Sequence, residues 1–157
     1  MSKILDRIAE LGLTLPAVAA PAGVYVPALR TGNYVYTSGQ LPVVDGKLPA
    51  TGHLGSDVDV ETGYDLARIA GLNALAAIAG VIGDLDKIVR VVKVTGFVNS
   101  ADDFTQQPAV INGVSELYGE IFGDKGQHAR SAVGVNTLPL GTPVEVEVIV
   151  EVEDDAA

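Results

Sequence analysis

The chain has no cysteine, no tryptophan, one methionine and only two histidines in 157 residues. Without cysteine there is no disulfide framework, no thiolate nucleophile, no cysteine-ligated zinc and no iron–sulfur cluster. The two histidines, His53 in a loop and His128 before a strand, are too few for a histidine-rich metal site. Each reads first as a surface or strand-flanking residue, and neither a metal nor any other cofactor is expected. Basic residues are also scarce: 10 against 20 acidic ones, for a net charge of −10 with histidine neutral. That balance repels a phosphate backbone, so nucleic acid is not an expected partner. No G-x-x-x-x-G-K-[ST] loop is present to cradle phosphates, no G-x-G-x-x-G follows a strand, and no serine sits in a nucleophile elbow.

Membrane signals are short as well. The opening "MSKILDRIAELGLTLP" has charges where a signal peptide needs a continuous apolar core, and reads as a short amphipathic helix. Ala67 to Ile82 is rich in Ala and Gly but falls below the roughly 18 consecutive apolar residues of a membrane span. A cytoplasmic protein without a membrane partner is the expectation. The length suits one domain, 1–157, able to bury roughly two-thirds of its unfolded surface, with residues 1–20 as an N-terminal helix and connector.

The pattern predicts an order of elements. Ile4, Ile8 and Leu11 share a helical face that Gly12 ends, and "PAVAAPAG", 16 to 23, reads as an extended connector. "VYVPALR" and "NYVYTSGQLP" read as two strands around Thr31-Gly32, with Pro27 suggesting an edge. Residues 42–56 are loop. Ser56, Asp57 and Asp59 are candidate caps for a helix through residue 82 that Gly83 closes. "KIVRVVKVTGFVNS" is a central strand. Ser100 to Asp103 can cap a second helix, with Pro108 near its first turn and Val110, Val114, Leu117 and Ile121 on one face. Strands at 129–137 and 143–152 finish an α+β chain, its two main helices packed on one face of a mixed sheet.

Two charged residues stand where a strand should be apolar. In "PVEVEVIVEVE" the valines 144, 146, 148, 150 and 152 form a core face, and Glu145, Glu147 and Glu151 lie opposite. Solvent or a neighbouring subunit accounts for Glu147 and Glu151, whereas pattern leaves Glu145 open. In "HARSAVGV" Arg130 cannot lose its charge, so it needs either an ion-pair partner in the fold or an anionic ligand. Periodicity does not separate those two.

"ARSAVGVNTLPLGTPVEVEVIVEV", with "GVYVPALRTGNYVYTSGQLP" and "VVKVTGFVNSADDF", resembles the RidA family, also called YjgF and once described as L-PSP endoribonucleases. The family pattern is matched at Ala129, Arg130, Ser131, Val133, Leu138, Pro139, Val144, Glu145, Val146 and Glu147, and the N-terminal helix marks a longer subgroup. The resemblance implies a chorismate-mutase-like fold, a homotrimer with clefts between subunits, and hydrolysis of 2-imino acids to 2-keto acids and ammonia without a cofactor. It further implies that Arg130 clamps the carboxylate of a small ligand, that Glu145 is the acid–base group on water, and that Tyr25, Ser38 and Gly39 line the cleft. A carboxylate-binding regulatory trimer is the alternative, and a ribonuclease is disfavoured by the acidic balance.

This chain departs from the pattern in three places. Ala132 replaces the usual cysteine, leaving only a backbone contact there; His128 replaces a proline; and Asn112 and Ser115 compete for the place of a helix asparagine. Were the last two strands a hairpin, Glu145 would lie about six residues, or roughly 20 Å, from Arg130. A shared site then needs another strand order or two subunits.

Overall fold

In the computed structural model, residues 2–155 are described. Met1, Ala156 and Ala157, at the ends of the expected domain, lie outside them. The elements run α1 (Lys3–Glu10), β1 (Ala28–Thr31), β2 (Tyr34–Thr37), α2 (Val60–Ile82), β3 (Ile88–Asn99), α3 (Gln107–Phe122), β4 (Ala129–Val135) and β5 (Val144–Val152). The sheet order is β1-β2-β5-β3-β4, antiparallel except for the parallel pair β3–β4. Parallel pairing needs a crossover, and α3 supplies it.

The five β5 valines are at most 1 % exposed and form the floor of the core. Each contributes roughly 1.5–3 kcal/mol by leaving water. α2 and α3 cover that face, so close together that a side chain on Gly113 would run into the Tyr64 carbonyl. Asp59 caps α2 by accepting from the Thr62 amide at 2.8 Å, and Gly83, at φ +82°, ends it. The other two candidates do not cap. Asp57 instead accepts from the His53 amide and holds the loop before the helix. α2 is longer than its Ala-rich C-terminal stretch, and at 23 residues it is long and apolar enough by length and composition to cross a bilayer. However, 67 % of its most apolar window is buried in this core.

Three expectations shift. β1 begins only at Ala28, because Pro27 lacks the amide a ladder needs, and Val24 to Val26 bend away as exposed chain. The turn that follows is Gly32-Asn33, since Thr31 already pairs with Tyr34. α3 starts at Gln107 rather than after Ser100–Asp103, and Gln106 makes no side-chain cap. An earlier start would require Pro108 to donate to the Phe104 carbonyl, which it cannot; the Gln107 side-chain amide takes that carbonyl at 2.8 Å.

α1 docks on the same core. Ile8 is 1 % exposed, and the Asp86 carboxylate accepts from the Ser2 hydroxyl and the Lys3 and Ile4 amides at 2.8–2.9 Å. Those bonds hold the Asp86 carboxyl below its ordinary pKa.

Candidate functional site

β4 and β5 are not a hairpin, because β3 runs between them. Arg130 pairs with Val94 and Glu145 with Phe97. Two strand spacings and three residues along β3 put their Cα atoms roughly 14 Å apart. Val94 is buried under the helices, whereas Phe97 alternates to the uncovered side. Arg130 and Glu145 thus occupy opposite faces of one sheet, and no rotamer brings them to one ligand within a chain.

The candidate residues fall into two groups. The first is Arg130 with α3. Its Nη1 donates to Asn112 Oδ1 at 2.8 Å and Ser115 Oγ at 3.2 Å, and Nη2 reaches the Pro108 carbonyl at 3.4 Å. Asn112 and Ser115, alternatives in the sequence, are used together, one turn apart on α3. Among the described residues no carboxylate pairs with Arg130. A structural ion pair therefore does not explain this arginine. With both Nη1 hydrogens engaged, the side-on edge formed by Nε and Nη2 is the fork left for a planar anion. Ala132 lies on the same face two residues along, partly buried against the core.

The second group gathers where β2 ends beside β5. The Glu145 carboxylate lies against Gly39: an added Cβ would overlap it, with Glu145 Cγ at 3.1 Å. Burial, and then the neighbouring Glu147 charge, raise the Glu145 pKa. Ser38 braces the segment before β1, its hydroxyl donating to the Val26 carbonyl at 2.6 Å and its amide to Pro27 at 2.8 Å. That places Tyr25, whose hydroxyl accepts from the Ala22 amide at 3.2 Å. Tyr25 and Gly39 open onto an apolar recess of about 700 Å³, floored by Ile69 and Leu72 and walled by the connector after α1. Such a volume is in the range that holds small molecules, roughly 300–1,000 Å³.

His128 belongs with the first group, which sequence reasoning missed. Its Nε2 is 2.9 Å from Ser115 Oγ and its Nδ1 is 2.6 Å from the Gly126 carbonyl. The available signal was its position, two residues before Arg130 and so on the same strand face. The other histidine keeps its bland reading: His53 Nε2 lies 2.8 Å from the Asn136 carbonyl and ties two loops.

A family model described as "YjgF/chorismate_mutase-like, putative endoribonuclease" matches residues 5–152. Protein TCP17 of Trypanosoma cruzi is 42 % identical over 153 residues, covering 97 % of this chain and 96 % of that protein. The 2-iminobutanoate/2-iminopropanoate deaminase of Escherichia coli K12 is 32 % identical over 138 residues, covering 87 % and 94 %. Among solved structures, the Agrobacterium tumefaciens protein Atu1372 superposes with a TM-score of 0.90 at 45 % identity, covering 96 % of this chain and 93 % of that one. The α+β fold, the motif around Arg130 and Glu145, and a family match spanning nearly the whole sequence lead to one assignment: the chain belongs to the YjgF (RidA) family.

Proposed function

We propose that this protein hydrolyses 2-imino acids, or their enamine tautomers, to 2-keto acids and ammonia in clefts between the subunits of a homotrimer. The observation that carries the reading is Arg130: a guanidinium fixed through Nη1, with no carboxylate partner among the described residues and, apart from one long Nη2 contact to the Pro108 carbonyl, an Nε–Nη2 edge open for one. An open site built this way suits a small ligand bearing a carboxylate.

Glu145 of one copy meets Arg130 of the next in this reading. The open sheet face supports such assembly, because Tyr34, Tyr36 and Val133 lie 42–44 % exposed on it in a single copy. With the ligand carboxylate on Arg130, Glu145 takes a proton from water as the water oxygen bonds to the carbon of the protonated imine, whose π pair moves onto nitrogen. Glu145 then returns that proton to nitrogen; as the C–N bond breaks and ammonia leaves, the hydroxyl oxygen forms the keto C=O and its proton passes to Glu145 and on to solvent. A carboxyl raised by burial exchanges protons nearer neutrality than an ordinary glutamate does. No step requires a metal or organic cofactor. Tyr25, Ser38, Gly39 and the Ala132 backbone line the cleft, and the recess beside Gly39 takes the ligand's side chain.

The test generates imino acids in situ from small and bulky apolar amino acids with an amino-acid oxidase and follows keto-acid release. Release faster than in buffer is expected. A rate equal to buffer across the series would leave the carboxylate-binding regulator as the better reading.

A further inference from the structure

We infer that His128 is a positioning residue, acting through Ser115 to set the Arg130 guanidinium with its Nε–Nη2 edge free for a ligand carboxylate. The inference rests on the carboxylate-clamp reading of Arg130.

The hydrogen bonds give this chain a direction. A carbonyl only accepts, so the 2.6 Å contact to Gly126 puts the ring proton on Nδ1. Nε2 of the neutral ring is then a lone pair, and at 2.9 Å it accepts the Ser115 hydroxyl hydrogen. With its hydrogen committed, the Ser115 oxygen turns its lone pairs outward, and one receives Arg130 Nη1–H at 3.2 Å. Without His128 the hydroxyl can rotate, and nothing then obliges it to accept from arginine rather than solvent.

The imidazole is itself held. It sits edge-on to the ring of Tyr118, with centroids 6.3 Å apart. Tyr118 is fully buried and donates to the Gly71 carbonyl at 2.8 Å. Gly126 is pressed against the α3 backbone, where a Cβ would come within 2.7 Å of the Tyr118 carbonyl carbon. Core, turn and helix together therefore fix the imidazole that fixes Ser115. A serine beside a histidine can also be a nucleophile with its base. Here one Ser115 lone pair faces a guanidinium, and a proton moved onto His128 would place a second cation beside Arg130.

The experiment uses the full chain and measures pyruvate affinity by titration calorimetry, with kcat and KM on imino acids. It compares the parent with His128→Ala, Ser115→Ala and the double variant. His128→Phe is added because it keeps the ring against Tyr118 while removing both nitrogens, which separates positioning from packing. Each single variant should weaken pyruvate binding and raise KM by about tenfold, with kcat retained. The double variant should be no worse than either single one, since His128 acts only through Ser115. Unchanged affinity in both His128 variants overturns the inference, as does a double variant near a hundredfold or a Ser115→Ala that loses kcat at unchanged affinity. If the parent binds no pyruvate, the clamp reading falls and takes this inference with it.

Discussion

Arg130 pairs with Val94 on the helix-covered side of the sheet, and Glu145 pairs with Phe97 on the open side, with β3 between them. One chain therefore holds two groups of candidate residues that cannot meet around one ligand. The α3-side group has a cation held by neutral oxygens, and the β2-side group has a carboxylate whose pKa is raised by burial.

Arg130→Lys should weaken 2-keto acid binding by about tenfold or more despite preserving the charge. An ammonium lacks the planar fork and cannot hold Asn112, Ser115 and a carboxylate at once. Calorimetry beside thermal melts checks this: a lowered melting temperature with unchanged affinity would mean the arginine serves the fold.

Glu145 must be ionised to accept a proton from water, so kcat/KM should fall on the acid side at a higher pH than an ordinary glutamate would give. Burial is the first cause and Glu147 the second. Glu147→Gln removes the second, lowers the Glu145 pKa and should carry the acid limb to lower pH. Glu145→Gln should keep affinity but lose turnover by about 10²–10⁴. A pH–rate profile unmoved by Glu147→Gln would place the titrating group elsewhere.

Gly39→Ala puts a Cβ where the Glu145 carboxylate lies. The glutamate must swing away, and turnover should fall by roughly 10² as water loses its base. The melting temperature should hold, because the displaced carboxylate can turn toward solvent on the open face. Retained turnover would show that the carboxylate does not act from its position against Gly39.

Much of this was legible because it rests on period and punctuation. The β5 valines alternate and are all buried, Gly83 stops α2, and Val110, Val114, Leu117 and Ile121 sit in the core as their spacing implies. The insertion of β3 between β4 and β5 was not legible, since hairpin and crossover leave the same alternation in each strand. The start of α3 was misplaced because Ser100–Asp103 look like caps, while the deciding fact is the missing amide of Pro108 five or more residues later. Among the candidate residues, Arg130 stood out as a charge in an apolar strand, whereas the pattern left Glu145 open and only the family resemblance singled it out. His128 did not stand out, because its role depends on Gly126 and Ser115, which the fold brings together from a turn and a helix.

Subunit mixing tests the two-copy cleft most directly. Arg130→Lys and Glu145→Gln proteins, each of low activity alone, are dissociated, mixed in equal amounts and reassembled, with the parent treated in parallel. If each cleft takes Arg130 from one copy and Glu145 from the next, random mixing gives about one intact cleft in four, and about a quarter of the parent's imine-hydrolysing rate should return. Activity no greater than the mean of the two separate variants would contradict a cleft shared between copies.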